Sequence, residues 1–518
     1  MTRYIYEFGP QKTHGDASMK NLLGGKGANL AEMARLGLPV PPGFTISTEC
    51  CNDYFDLGWR FPESLASEIT AAMSHMEDQM GMRFGDPDAP LLVSCRSGAR
   101  SSMPGMMETI LNVGLCSKTI PGLAARTGNE WFVYDAYRRL IMMYSDVVME
   151  KADQVVPEDG MGIRLNLEMM MNNLKNDKGY EHDTDISLQD MQSLCDRFKK
   201  KISQYLKKEF PDDPREQLMG AIGAVFKSWN GKRAVSYRRI EHIPDAWGTA
   251  VNVQAMVFGN MGDTSATGVA FTRDPATGKN HFFGEWLVNA QGEDVVAGIR
   301  TPNPLNKETK NMQNQHLPSL EEAMPKLYAQ LYDIRNTLES HYKDMQDIEF
   351  TIQEGTLYML QCRVGKRTAT AALNMAMDMF EQGMIDETTM VCRLNPKSLD
   401  EMLHPIVDPE EEKIAVQVAE GLPAGPGGAW GKIVFTAEDA VQMAKTGENV
   451  ILLREETSPE DIEGMRAASA ILTARGGMTS HAALVARGWG KCCIVGAGAL
   501  KIHAKNRQLQ VGTRMFKE

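Results

Sequence analysis

A-S-A-I-L-T-A-R-G-G-M-T-S-H-A-A-L-V-A-R, residues 468–487, passes from an apolar strand through two glycines into an alanine-rich helix pattern. Thr479 or Ser480 is placed to cap a helix beginning near His481. A histidine there can be a nucleophile, because a phosphoryl group on it, carrying about two negative charges, would be held by the first amides and the dipole of the helix. Small Ala482 and Ala483 would let another active site come close. The same residues also suit a plain strand-to-helix turn, with the histidine simply seated in its first turn.

Working outward, V-I-L-L-R-E, S-P-E-D-I-E-G-M-R-A, A-S-A-I-L-T-A, H-A-A-L-V-A-R and C-C-I-V-G-A alternate as β-α-β-α-β. That order predicts a small α/β domain, preceded by glycine- and proline-rich loops at 421–431. A helix rich in Ala and Met is expected over 368–382, followed by a connector marked by Asn395-Pro396 and His404-Pro405. Earlier in the chain, up to about residue 115, short apolar strands alternate with helices, and the pattern turns helical over about 129–229. Strand character returns at T-A-V-N-V-Q-A-M-V-F-G and G-V-A-F-T-R-D. A helix over 320–343 then leads into the β-hairpin I-E-F-T-I-Q-E-G-T-L-Y-M-L-Q-C-R.

With 518 residues, 43% hydrophobic and 24% charged, the chain reads as globular and multidomain. A formal net charge of −12 argues against a general nucleic-acid or anionic-membrane binder. No run of about 18 apolar residues is present, and the N-terminus lacks the apolar core of a secretory signal, so the expected location is cytoplasm or an organelle lumen. Nine cysteines without C-x-x-C spacing point to neither a zinc site nor a disulfide framework. The 35 methionines are most simply adaptable core packing.

Three further constellations suit phosphate. In N-L-L-G-G-K-G-A-N-L-A-E-M, a glycine turn carrying Lys26 opens a helix, although the order of a P-loop is absent. In L-V-S-C-R-S-G-A-R-S-S-M-P-G-M-M-E-T, a buried strand delivers Arg96 and Arg100 into a loop of glycines and hydroxyls. In the hairpin, alternation sets Asp347, Glu349 and Thr351 on one face, with Gln361 and Arg363 sharing a face of the second strand. Carboxylates two residues apart suit Mg²⁺ bridging nucleotide phosphates, and a nearby Arg can neutralise a transferred group. Each stretch alone also fits a glycine turn, a solvated loop or a half-exposed hairpin.

L-G-G-K-G-A-N-L-A-E-M, V-S-C-R-S-G-A-R-S-S-M-P-G-M-M-E-T-I-L-N-V-G-L, M-V-F-G-N-M-G-D-T-S-A-T-G-V-A-F-T-R-D-P-A-T-G, N-A-Q-G-E-D-V-V-A-G-I-R-T-P and G-G-M-T-S-H-A-A together resemble the pyruvate, phosphate dikinase family. The resemblance covers nearly the whole chain except the helical insert. It implies an α+β and α/β multidomain protein: an ATP-grasp nucleotide-binding domain over 1–370 with the insert at about 129–229, a linker over 371–415, and a swivelling phosphohistidine domain over 416–518. By that resemblance Lys26 and Arg96 hold nucleotide phosphates under a mobile loop containing Gly105. Thr267 and Gly268 line the phosphate cradle, and Glu293 and Asp294 lie nearer the nucleoside. Asp347, Glu349 and Gln361 serve Mg²⁺ with ATP, and Arg363 the reacting phosphoryl groups. His481 takes the β-phosphoryl through a pyrophosphoryl intermediate, and inorganic phosphate accepts the terminal phosphoryl.

The family has a third, C-terminal barrel for pyruvate or phosphoenolpyruvate, whereas this sequence stops at residue 518, so a fragment or a form lacking that domain is expected. It should phosphorylate His481 from ATP and phosphate without forming phosphoenolpyruvate. The resemblance also implies a homodimer for the full-length protein and, in some lineages, a regulatory kinase acting on the residue two before the histidine, here Thr479. The rival readings are a phosphoenolpyruvate synthase, in which water accepts the terminal phosphoryl, and a non-catalytic phosphocarrier. A dinucleotide-binding oxidoreductase lacks its G-x-G-x-x-G after a strand.

Overall fold

A computed structural model describes residues 3–103, 105–157, 161–296, 301–310, 314–396, 407–408 and 415–517. The chain divides into two compact units, Met1–Val257 and Phe258–Glu518. Together they form a mixed α/β, multidomain fold with several sheets.

In the first unit, five antiparallel strands lie in the order Ile5–Phe8, Gly43–Ile46, Ala250–Ala255, Val93–Gly98, Thr109–Val113. The chain therefore leaves this sheet after Val113 and re-enters its centre at Ala250. Between them lie the helices Glu130–Tyr144, Ile163–Lys178, Leu188–Leu206, Pro214–Ser228 and Lys232–Ile240, so the helical run extends about ten residues beyond the expected 229. Their starts follow local chemistry: Asn129 accepts from Phe132 N–H at 3.0 Å, Ser187 from Asp190 N–H at 3.2 Å, and Asp213, followed by Pro214, from Glu216 N–H at 2.9 Å.

The second unit carries an antiparallel sheet in the order Asn303–Pro304, Phe283–Val288, Ala266–Phe271, Gln346–Gln353, Thr356–Val364. The single helix expected over 320–343 is two, Leu320–Ala323 and Pro325–Tyr342, because Met324 is non-helical (φ −137°, ψ 62°) and proline restarts the helix at its first position. Thr368 caps the helix Ala369–Glu381. A second sheet runs Leu422–Gly425, Cys492–Val495, Ala470–Thr473, Val450–Arg454, Lys432–Val434. Its last four strands are mutually parallel and the first is antiparallel. It contains the expected β-α-β-α-β pattern, with the helices Ile462–Ala467 and His481–Trp489, and adds in front of it the strand Lys432–Val434 and the helix Ala437–Lys445. A three-stranded meander over Leu500–His503, Gln508–Val511 and Arg514–Lys517 follows. No described helix is long and apolar enough to cross a membrane.

Arg273, fully buried, joins three parts of the second unit. Its Nε donates to Glu339 at 3.0 Å, its Nη2 donates to Gln382 at 3.1 Å, and it pairs with Asp378. Removing the cation would strand the buried Glu339 carboxylate. Arg273→Met should therefore cost about 3–5 kcal/mol, and Asp378→Asn, at the more exposed partner, much less. Urea midpoints of the two variants check this ordering; equal midpoints would contradict it.

Candidate phosphohistidine site

In the first unit the two phosphate-suited stretches come together. The helix Lys20–Arg35 is kinked at Gly24 (φ 67°), so the glycine turn lies inside the helical span and Lys26 in the turn that follows. A Cβ at Gly24 would collide with the Gly98 carbonyl, and Gly25 N–H donates to Ala99 O at 2.8 Å. This close approach seats the Lys26 segment against the end of the strand bearing Arg96, whose carbonyl accepts from Asn252 Nδ2 at 3.4 Å. Lys26 and Arg96 are both half-buried. Arg100 lies over the Trp247 ring at 5.4 Å. Gly105, at φ 71°, is exposed in the loop beyond. The loop returns at Glu108, which pairs with Arg233 at 2.5 Å and Lys151 at 3.7 Å.

The hairpin of the second unit places Asp347 opposite Arg363 and Glu349 opposite Gln361. Arg363 Nε donates to Asp347 Oδ2 at 2.7 Å, and Gln361 Nε2 donates to Glu349 Oε1 at 2.9 Å. Asp347 is buried, and its Oδ1 has no hydrogen-bond partner among the described residues. Burial pushes its carboxyl above the usual carboxylate range, while the Arg363 guanidinium opposes the shift. Burial works against the Arg363 charge, but Asp347 and Glu349 outweigh it and raise the guanidinium's pKa.

Thr267 and Gly268 lie on the neighbouring strand Ala266–Phe271, both buried. Thr267 Oγ1 donates to Phe350 O at 3.2 Å, and Gly268 leaves room for the Phe350 ring. Asp294 Oδ2 accepts from Gln291 N–H at 2.8 Å at the start of the helix Gly292–Val296. The side chain of Glu293 lies outside the described residues.

His481 is the first residue of the helix His481–Trp489. Ser480, not Thr479, is its cap, accepting from Ala483 N–H at 3.4 Å. Thr479 instead donates its hydroxyl to Glu285 Oε2 at 3.0 Å, and Met478 N–H donates to Glu285 Oε1 at 3.3 Å. Glu285 stands on the strand Phe283–Val288. Burial raises its pKa, and the bonds from Thr479 and Met478 offset part of that. Leu484 of the same helix joins the core built from Val269, Phe271, Leu287 and Met375. Arg487, 1% exposed, donates to Met478 O and lies over the Phe271 ring at 5.6 Å. Burial lowers its pKa to about 10, so it remains a cation at neutral pH. His481 Nδ1 lies 3.0 Å from Thr457 Oγ1.

Three residues of this site, Glu285, Arg487 and Thr457, are not singled out by motif reading. The signal for Glu285 is a lone carboxylate in the apolar run F-F-G-E-W-L-V; for Arg487, a cation six residues past the histidine in an otherwise apolar helix. Thr457 carries no such mark.

Stretches 20–59, 57–325 and 303–384 match the family model described as pyruvate phosphate dikinase, AMP/ATP-binding domain. Residues 446–512 match that of the PEP-utilising enzyme, mobile domain. The pyruvate, phosphate dikinase of Clostridium symbiosum is 51% identical over 519 residues, covering 100% of this chain and 56% of the relative. That of Rhizobium meliloti (strain 1021) is 51% identical over 509 residues, covering 98% and 55%. The chloroplastic pyruvate, phosphate dikinase 1 of Arabidopsis thaliana is 49% identical over 515 residues, covering 99% and 51%. The chain spans about half the length of the curated relatives it matches. With the ATP-binding part in front and the histidine helix inside the mobile part, the chain belongs to the pyruvate, phosphate dikinase family.

Proposed function

We propose that this chain carries out the ATP- and phosphate-dependent phosphorylation of His481, the nucleotide half of the pyruvate, phosphate dikinase reaction. The observation that carries the reading is His481 at the start of a capped helix whose lead-in loop is bound by Glu285, a residue of the sheet that also bears Asp347, Glu349 and Gln361. In this reading 1–370 is an ATP-grasp domain with a helical insert running from about 129 to 240, 371–415 a linker, and 416–518 a swivelling phosphohistidine domain.

Lys26 and Arg96 hold nucleotide phosphates, Gly105 belongs to the loop covering them, and Glu293 and Asp294 serve the nucleoside. Thr267 and Gly268 belong to the phosphate cradle, with Gly268 also accommodating Phe350. The hairpin suits Mg²⁺: Asp347, Glu349 and the amide oxygen of Gln361 are hard oxygen donors, and Asp347 Oδ1 is buried with no partner among the described residues. No cluster of three or more His, Cys, Asp or Glu that could hold a metal occurs among the described residues; the remaining ligands of the ion would come from nucleotide phosphates and water. When bound, Mg²⁺ neutralises phosphate charge.

His481 attacks the β-phosphorus of ATP, and AMP leaves with the electrons of the broken P–O bond. Inorganic phosphate then takes the terminal phosphoryl, giving pyrophosphate and phosphohistidine. Arg363 offsets charge on the reacting groups, and the helix start holds the phosphoryl left on His481. Transfer to pyruvate is assigned to the part of the relatives' length outside this match. Homodimerisation and a kinase acting on Thr479 would be features of the whole protein.

Intact-mass measurement after Mg-ATP and phosphate should show one acid-labile phosphoryl on the unmodified chain and none on His481→Asn. With γ-labelled ATP the label should appear in pyrophosphate only when phosphate is added; label released as orthophosphate would favour the synthase reading. Asp347→Asn and Glu349→Gln should each slow phosphorylation by at least about 10²-fold, the scale of removing one transition-state charge interaction. Both should also weaken thermal protection by Mg-ATP. Undiminished rate and protection in both variants would remove the hairpin from the site.

A further inference from the structure

We propose that Thr457 is a positioning residue for His481, holding the Nδ1 proton so that Nε2 is the nitrogen that takes the phosphoryl group. The proposal rests on the phosphohistidine reading above. Thr457 Oγ1 lies 3.0 Å from Nδ1.

Thr457, 9% exposed, lies between the strand Val450–Arg454 and the turn Pro459–Asp461, where both flanks are fixed. Ser458 N–H donates to Asp461 Oδ2 at 2.9 Å, and Arg454 Nε donates to the same oxygen at 3.3 Å. Arg454 Nη1 in turn donates to Phe435 O at 3.1 Å. On the other side, the Ser480 cap fixes the first turn of the helix bearing His481. The space beside the ring, lined by Glu456, Thr457, Thr473, Ser480, His481 and Ala482, measures about 10 Å³, close to the room one water needs. The hydroxyl and the imidazole are therefore held in register by two separately anchored segments, and the contact is more than a chance meeting of two loops.

A neutral imidazole carries one N–H, and the partner of one nitrogen decides the role of the other. With Nδ1–H donating to Thr457, the lone pair stays on Nε2. That pair forms the N–P bond to the β-phosphorus, the P–O bond toward the α-phosphorus breaks, and AMP leaves with its electrons. The Nδ1 proton stays on the ring, which becomes cationic as the N–P bond forms, and the Thr457 oxygen accepts from it with growing strength. Were the contact reversed, with Thr457 donating to Nδ1, the proton would sit on Nε2 and that nitrogen would have no pair to give.

The full chain, ¹⁵N-labelled at histidine, decides between these. Long-range ¹H–¹⁵N correlation, with His481→Asn identifying the resonances, should show the Nδ1–H form dominant in the unmodified chain. In Thr457→Val the ratio should move toward Nε2–H, and the phosphorylation rate from Mg-ATP and phosphate should fall about tenfold, the scale of one missing hydrogen bond. The KM for ATP should be unchanged, and Thr457→Ser should restore both the ratio and the rate. A dominant Nε2–H form in the unmodified chain overturns the proposal without recourse to any variant. So does a Thr457→Val chain that keeps the original ratio and rate. An unmodified chain that shows Nδ1–H but takes no phosphoryl would instead refute the functional reading, leaving the Thr457 contact intact.

Discussion

The carboxylate of Glu285 accepts hydrogen bonds from the Met478 amide and the Thr479 hydroxyl, and the presentation of His481 depends on that interaction. One half-buried acid thereby constrains three successive residues. At Gly477 a Cβ would lie 2.7 Å from the carboxylate oxygens, so the residue has to be small; Met478 contributes its amide and Thr479 its hydroxyl. Arg487 closes the loop from the other side by donating to Met478 O, and its charge favours the ionised form of Glu285. A carboxylate drawn partly out of water keeps its charge more readily where donors replace the missing water. The loop supplies those donors, and the same hydrogen bonds orient the loop.

The hairpin solves a related problem by register. Between Glu349 and Phe350 the pairing shifts, so that Glu349 faces Gln361 while Phe350 faces Met359. The irregularity separates a polar end, where Asp347 meets Arg363 and Glu349 meets Gln361, from an apolar end sealed by Phe350. Phe350 fits because Gly268, on the adjacent strand, has no side chain to meet its ring. Packing on one half of the hairpin thus sets the position of Asp347, Glu349 and Gln361 on the other half.

Period and turn chemistry make much of this legible from residues alone. The alternation of 346–364 identifies a hairpin and its polar face, and the strand–helix alternation after 431 identifies the parallel sheet around His481. Both are local patterns, repeated within a few residues. Glu285 and Thr457 escape such reading because their meaning is tertiary: Glu285 meets a loop nearly two hundred residues later, and no spacing rule encodes that separation. The break at Pro325 is a local signal masked by the longer helical period around it. The helical run past 229 is obscured by Asn230-Gly231, which reads as a stop but only turns the chain into the next helix.

Ser480 and Thr479 divide two tasks that the sequence leaves interchangeable. Both are hydroxyl residues just before the helix, and either could cap it by composition. Only Ser480 does so, while Thr479, 1% exposed, turns its hydroxyl to Glu285. A phosphate on Thr479 would therefore leave the cap in place and set about two negative charges against the Glu285 carboxylate, an arrangement that repulsion opposes. The hydrogen bonding between Glu285 and the loop would break first. A charge at Thr479 would thus act on how the loop before His481 is held, and the helix and its Ser480 cap would remain intact.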